Sequence, residues 1–171
     1  HVWTADGVSA YAVAIQETKD GLVERGVGPE KINITGIPIE RKFLKPYSRE
    51  AVAAKLGLDK NKFTILVTSG GAGIGAMSLI VKGLVDLKKD LQIISVCGTN
   101  KVLLEELRNI AKDDPLLKVL GFVNNMEELM DVSDLVIGKG GGLTITESFS
   151  KGRPVLLFQS IPGQEKRNVL C

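Results

Sequence analysis

The stretch Phe63-Thr64-Ile65-Leu66-Val67-Thr68-Ser69-Gly70-Gly71-Ala72-Gly73-Ile74-Gly75-Ala76 carries an apolar, β-branched run straight into a glycine-rich turn, and a helical pattern follows. Such a run is apolar enough to be buried on both faces, as strands of a parallel sheet are. The alternation repeats downstream, with strands expected at Phe63–Thr68, Gln92–Val96, Lys118–Leu120, Leu135–Ile137 and Val155–Phe158. Short strand runs alternating with longer amphipathic ones mark βαβ units. The fold class is therefore α/β, a doubly wound, mainly parallel Rossmann-like sheet with helices on both faces.

The intervening segments carry helix punctuation. Asn125 with Glu128, and Thr144 with Glu147, both fit a capping-box start. The run from Lys101 to Lys112 sets Val102, Leu103, Leu107, Ile110 and Ala111 on one expected core face, and Asp113-Asp114-Pro115 stops it. Ahead of this domain lie a helical pattern over Ile15 to Arg25, a short strand at Ile32 to Ile34, and Thr35-Gly36-Ile37-Pro38-Ile39, whose glycine and proline read as a linker. A basic connector follows from residue 40, with a short helical turn at Ala51 to Leu56 that ends at Gly57.

Composition narrows the function classes. A net charge of +2 and the lack of an aromatic-interleaved basic stripe argue against nucleic acid. Cys97 and Cys171 have neither the number nor the spacing of a disulfide framework or a zinc site, which fits a reducing, cytosolic compartment. No apolar run approaches the roughly 18 residues of a membrane span, so membrane contact is expected to be peripheral. The chain opens without methionine and closes at Cys171 inside a helical pattern, as though cut from something larger.

Three motifs could carry chemistry. The Gly70 to Gly75 turn lets backbone approach a phosphate, and Gly71-Ala72-Gly73-Ile74-Gly75-Ala76 even matches a dinucleotide fingerprint. That fingerprint also needs an acidic residue ending the second strand, where this chain has Val96-Cys97-Gly98-Thr99-Asn100. A tight turn serving only helix packing remains the plain alternative. The second motif, Gly138-Lys139-Gly140-Gly141-Gly142-Leu143-Thr144-Ile145-Thr146-Glu147, again follows a strand and opens a helix. Both turns are expected at the carboxyl rim of the sheet, where open α/β sheets bind ligands and exposed helix N–H groups solvate phosphate. Glu147 offers paired acceptor oxygens to a ribose diol, or it serves the helix as a capping-box glutamate. The third motif, Pro162-Gly163-Gln164-Glu165-Lys166-Arg167-Asn168, gathers side chains able to bind sugar hydroxyls, or is a solvated loop. His1 is the sole histidine, and neither a metal-ligand spacing nor a serine nucleophile elbow occurs, so catalytic and metal residues are expected to be absent from this piece.

Taken in order, Thr35 to Ile39, Ser69 to Gly73, Gly121-Phe122-Val123-Asn124-Asn125-Met126, the triple-glycine Leu143-Thr144-x-x-Glu147 stretch and Pro162-Gly163-Gln164-Glu165-x-x-Asn168 resemble one family. It is that of the processive diacylglycerol glycosyltransferases and monogalactosyldiacylglycerol synthases, GT-B enzymes similar to the peptidoglycan N-acetylglucosaminyltransferase. The resemblance implies that residues 1–39 are the end of an acceptor-side domain with the interdomain linker. Residues 40–171 would then be a nucleotide-sugar-binding domain truncated at its C-terminus.

Carried over by position, Gly70, Gly71, Ala72 and Gly73 would border the diphosphate and transferred sugar, and Phe122 and Val123 would hold the uracil. Gly142, Leu143 and Thr144 would serve the diphosphate, Glu147 the ribose, Gln164 and Glu165 the hexose, and Asn168 the loop that carries them. One departure is Glu40, which stands where the peptidoglycan relatives have an arginine, followed here by Arg41 and Lys42. The implied activity is inverting, metal-independent hexosyl transfer from UDP-glucose or UDP-galactose to diacylglycerol. No cofactor beyond the UDP-sugar co-substrate is implied. The lipid and the general base would belong to the missing domain, so the fragment alone is expected to be inactive, in a protein that is cytoplasmic and peripheral at the membrane. A UDP-sugar 2-epimerase and a non-catalytic nucleotide-binding module are the alternatives.

Overall fold

The computed structural model describes residues 4–70, 76–87 and 89–159. The chain divides into two compact units, His1–Ile39 and Glu40–Cys171.

In the first unit, strands β1 (Tyr11–Val13) and β2 (Ile32–Ile34) pair in parallel, joined through helix α1 (Gln16–Val23). Val13, Leu22 and Ile32 bury one another between them. The sequence reading has the helix and β2 but not β1, and it extends the helix to Arg25, past its observed end.

The second unit begins with a 3-10 turn at Arg41–Leu44 and helix α2 (Arg49–Leu56). Ser48 caps α2 by accepting the Ala51 N–H at 3.3 Å, and Gly57 ends it at φ 64°, a left-handed conformation that glycine adopts without steric cost. The sheet follows as β3 (Phe63–Thr68), β4 (Leu91–Val96), β5 (Leu117–Leu120), β6 (Leu135–Lys139) and β7 (Val155–Gln159). The helices between them are α3 (Met77–Asp86), α4 (Lys101–Ala111), α5 (Met126–Val132) and α6 (Gly142–Ser150). Every pairing is parallel and the order is β5-β4-β3-β6-β7. The order reverses between β3 and β6, which puts the topological switch point of this doubly wound sheet between them. All five expected strands are present, each within one or two residues of the expected bounds.

The sheet is covered on both faces, as its apolar strands require. Ile65 and Val67 of β3 join Met77, Val81, Ile93, Leu103 and Leu107 in one core cluster. Leu66, on the opposite face by strand alternation, is also fully buried. Four expectations fail here. Val102 is 80% exposed rather than part of the core face, because in α4 that face is drawn by Leu103 and Leu107 and Val102 points away from it. Strand burial is not uniform either: Phe63 and Leu156, at a strand end and on the edge strand, are exposed. Finally, α6 starts at Gly142 with Gly141 as its N-cap, so Thr144 lies inside the helix and there is no capping box at Thr144–Glu147. Asn125 does precede α5, but its side-chain amide donates to Glu128 Oε2 at 3.0 Å instead of capping backbone N–H groups. No described helix is long and apolar enough to cross a membrane.

Candidate functional site

Strands β3 and β6 end side by side, so Gly70 and the start of α6 lie at one rim. Gly138, near the end of β6, lets the strands approach: a Cβ there would sit 3.4 Å from Thr68 O and 3.7 Å from the Thr144 methyl. Gly70 starts the first turn at φ 76°, the left-handed region that only glycine enters cheaply. At this rim lies a hollow of about 420 Å³, within the range of small-ligand sites.

The hollow brings together Gly70, Phe122, Val123, Leu143, Thr144 and Glu147 from the sequence-derived candidates. Gly142, the first residue of α6, is adjacent in the chain but does not line it. Gly71, Ala72, Gly73, Gln164, Glu165 and Asn168 lie outside the described residues.

Chemically the site has three parts. The first is the α6 N-terminus: Gly142, Leu143 and Thr144 occupy its first turn, and the first bond back to the cap is Ile145 N–H to Gly141 O at 3.1 Å. The N–H groups ahead of it have no helical acceptor and carry the positive end of the helix dipole, an anion-binding arrangement. The second is an apolar wall. Phe122 is 65% exposed, a cost for a large aromatic that a stacked planar ligand would recover.

The third part is Glu147, half-buried on α6. Burial pushes its carboxyl pKa up, the charges of Glu40 and Glu127 push in the same direction, and Lys42 opposes them. No described residue donates a hydrogen bond to it. With the capping role gone, this carboxylate has no structural function in the helix start, and its acceptor oxygens remain available to ligand hydroxyls.

Sequence reasoning missed Glu40, Lys42, Phe43, Thr68, Val96, Gly98, Asn124 and Met126 as lining residues. The end of β4 had a signal, since Val96-Cys97-Gly98 also lies at the carboxyl rim. Glu40 and Lys42 stood out only as a departure after the linker, since Lys42 reaches the hollow through the 3-10 turn at Arg41–Leu44, which packs on α6. Among the described residues no group of three or more His, Cys, Asp or Glu side chains is arranged to hold a metal ion. A separate hollow of about 410 Å³ lies within the first unit, near Asp6, Tyr11, Arg25 and Lys31.

Residues 64–167 match the family model of the glycosyltransferase family 28 C-terminal domain. The chain is 36% identical over 168 residues to the processive diacylglycerol β-glucosyltransferase of Bacillus pumilus, covering 98% of this chain and 44% of that protein. It thus spans less than half the length of the curated relatives it matches. Among solved structures it resembles HepE of Anabaena, determined in complex with UDP and glucose, at 20% identity and a TM-score of 0.58 over 89% of this chain and 45% of that one. It also resembles the UDP-GlcNAc 2-epimerase of Neisseria meningitidis, bound to UDP-GlcNAc, at 16% identity and a TM-score of 0.65 over 95% of this chain and 46% of that one. At such identities the two structures speak to the fold alone.

Proposed function

Because the chain belongs to the glycosyltransferase family 28 C-terminal domain family, we propose that its switch-point hollow holds the donor of a UDP-hexose-dependent glycosyltransferase that acts on diacylglycerol. The observation that carries this reading is the convergence of Gly70, the first turn of α6 and Glu147 on one hollow. In this reading the free N–H groups of Gly142, Leu143 and Thr144 solvate the diphosphate, and Glu147 accepts the ribose hydroxyls. Phe122 and Val123 hold the uracil. Gly71, Ala72 and Gly73 complete the phosphate turn, Gln164 and Glu165 meet the hexose, and Asn168 supports their loop, as the resemblance implies.

The reaction follows from charge. A diacylglycerol hydroxyl, deprotonated by a base outside this chain, attacks the anomeric carbon. The bond to UDP breaks, and α6 stabilises the negative charge that develops on the leaving diphosphate. The lipid acceptor places the protein peripherally at the membrane. UDP-glucose is favoured as donor by the names of the relatives, and UDP-galactose is the competing donor.

The fold is shared with a 2-epimerase, so architecture does not separate the two chemistries; the family match favours transfer. Supplying the full-length protein with radiolabelled UDP-glucose or UDP-galactose and diacylglycerol tests the reading. The expected product is labelled glycolipid, and release of an epimerised sugar without lipid labelling would contradict it.

A further inference from the structure

Among the described residues, the hollow is short of positive charge. Glu40 and Glu147 line it, and Glu127, only 6% exposed, stands near enough to act on the Glu147 carboxyl. Lys42 is the one cationic side chain among the described lining residues. Its ammonium donates to Asn124 O at 3.0 Å and lies 3.5 Å from Glu127 Oε2 and 3.6 Å from Glu40 Oε2. Glu127 Oε2 is buried without a hydrogen bond, so it meets the lysine as a charge rather than as a hydrogen-bond acceptor. An ammonium carries three N–H donors, and the bond to Asn124 uses one.

A diphosphate entering beside Glu40 and Glu147 meets repulsion of the kind that, after burial, helps to raise the Glu147 pKa. The α6 terminus offers about half a positive charge against it. Position 40, the first residue after the linker, adds a carboxylate to the rim rather than a cation. The 3-10 turn delivers the cation from two residues further on.

Resting on the reading of the hollow as a UDP-sugar site, we propose that Lys42 is the cationic contact for the diphosphate. Glu127 is a positioning residue that holds the Lys42 ammonium at the rim. Burial works against the lysine's charge, but Glu127 and Glu40 outweigh it and keep it protonated.

Calorimetric titration of the protein with UDP and with uridine tests both roles, using Lys42→Met, Lys42→Arg, Glu127→Gln and the Lys42→Met/Glu127→Gln pair, each checked for folding by circular dichroism. Lys42→Met weakens UDP about 10- to 100-fold, the span of a charged hydrogen bond, and leaves uridine unchanged. Lys42→Arg recovers most of the loss. Glu127→Gln weakens UDP less, and adds nothing on top of Lys42→Met if it acts only through the lysine. UDP affinity untouched by Lys42→Met, or UDP and uridine falling together, overturns the Lys42 assignment while leaving the site in place. A further loss in the double variant overturns the role of Glu127. A wild-type protein that binds neither ligand overturns the reading of the hollow, and Lys42 with it.

Discussion

The ammonium of Lys151, at the end of α6, lies 2.6 Å from Asp131 Oδ2 on α5, with side-chain exposures of 3% and 10%. Around this buried pair the connector is tied down: Asp131 Oδ2 accepts the Tyr47 N–H at 3.1 Å, Lys151 donates to Lys45 O, and the ammonium sits 4.9 Å from the centre of the Tyr47 ring. The pair therefore anchors the segment that presents Glu40, Lys42 and Phe43 to the hollow.

Removing one partner leaves the other charge buried without compensation. Lys151→Met is expected to cost about 3–5 kcal/mol of unfolding free energy, and Lys151→Met with Asp131→Leu less than that. Urea denaturation of both variants checks the order, and a double variant less stable than the single one contradicts it.

Asp134 makes a second anchor, accepting two 2.8 Å bonds from Arg49 and one from Thr64 N–H at 2.8 Å. Burial pushes its pKa up, but the Arg49 and Thr64 bonds outweigh burial and hold it below the usual carboxylate value. A depressed folded pKa contributes stability that is present above the unfolded pKa and lost as pH falls towards the folded one. Unfolding midpoints measured down through the acid range should fall less steeply for Asp134→Asn than for wild type. Parallel curves would contradict the assignment.

Glu147 has the opposite sign. Its raised pKa means that the folded state binds the proton more tightly, so stability falls as pH rises through the window between the unfolded and folded values. Glu147→Gln should gain stability relative to wild type at neutral pH while losing about tenfold or more in UDP affinity, since charged hydrogen bonds to the ribose are replaced by neutral ones. Thermal melting and calorimetry read the two effects separately. A variant that loses both stability and affinity would make Glu147 a structural residue.

Much of this site was legible in the sequence because its parts are local. The run Phe63–Thr68 is apolar or β-branched at every position and leads through Ser69 into Gly70, so strand, turn and rim position follow from pattern alone. Glu147 was legible as a residue but not in its role: the capping-box reading competed until Gly141 proved to be the cap. What stayed hidden depends on partners distant in the chain. Strand β1 is three residues long and exists because β2 pairs with it. Lys42 reads as one charge in a basic connector, and its environment is set by Asn124 and Glu127, brought to it by packing.

The most direct test of the donor-site account is a two-dimensional amide NMR titration of the protein with UDP. Shifts are expected to cluster on Gly70, Gly98, Val123, Leu143, Thr144 and Glu147, with NAD producing weaker changes at the same amides. An unperturbed rim, or shifts confined to residues away from the ends of β3 and β6, would contradict the account.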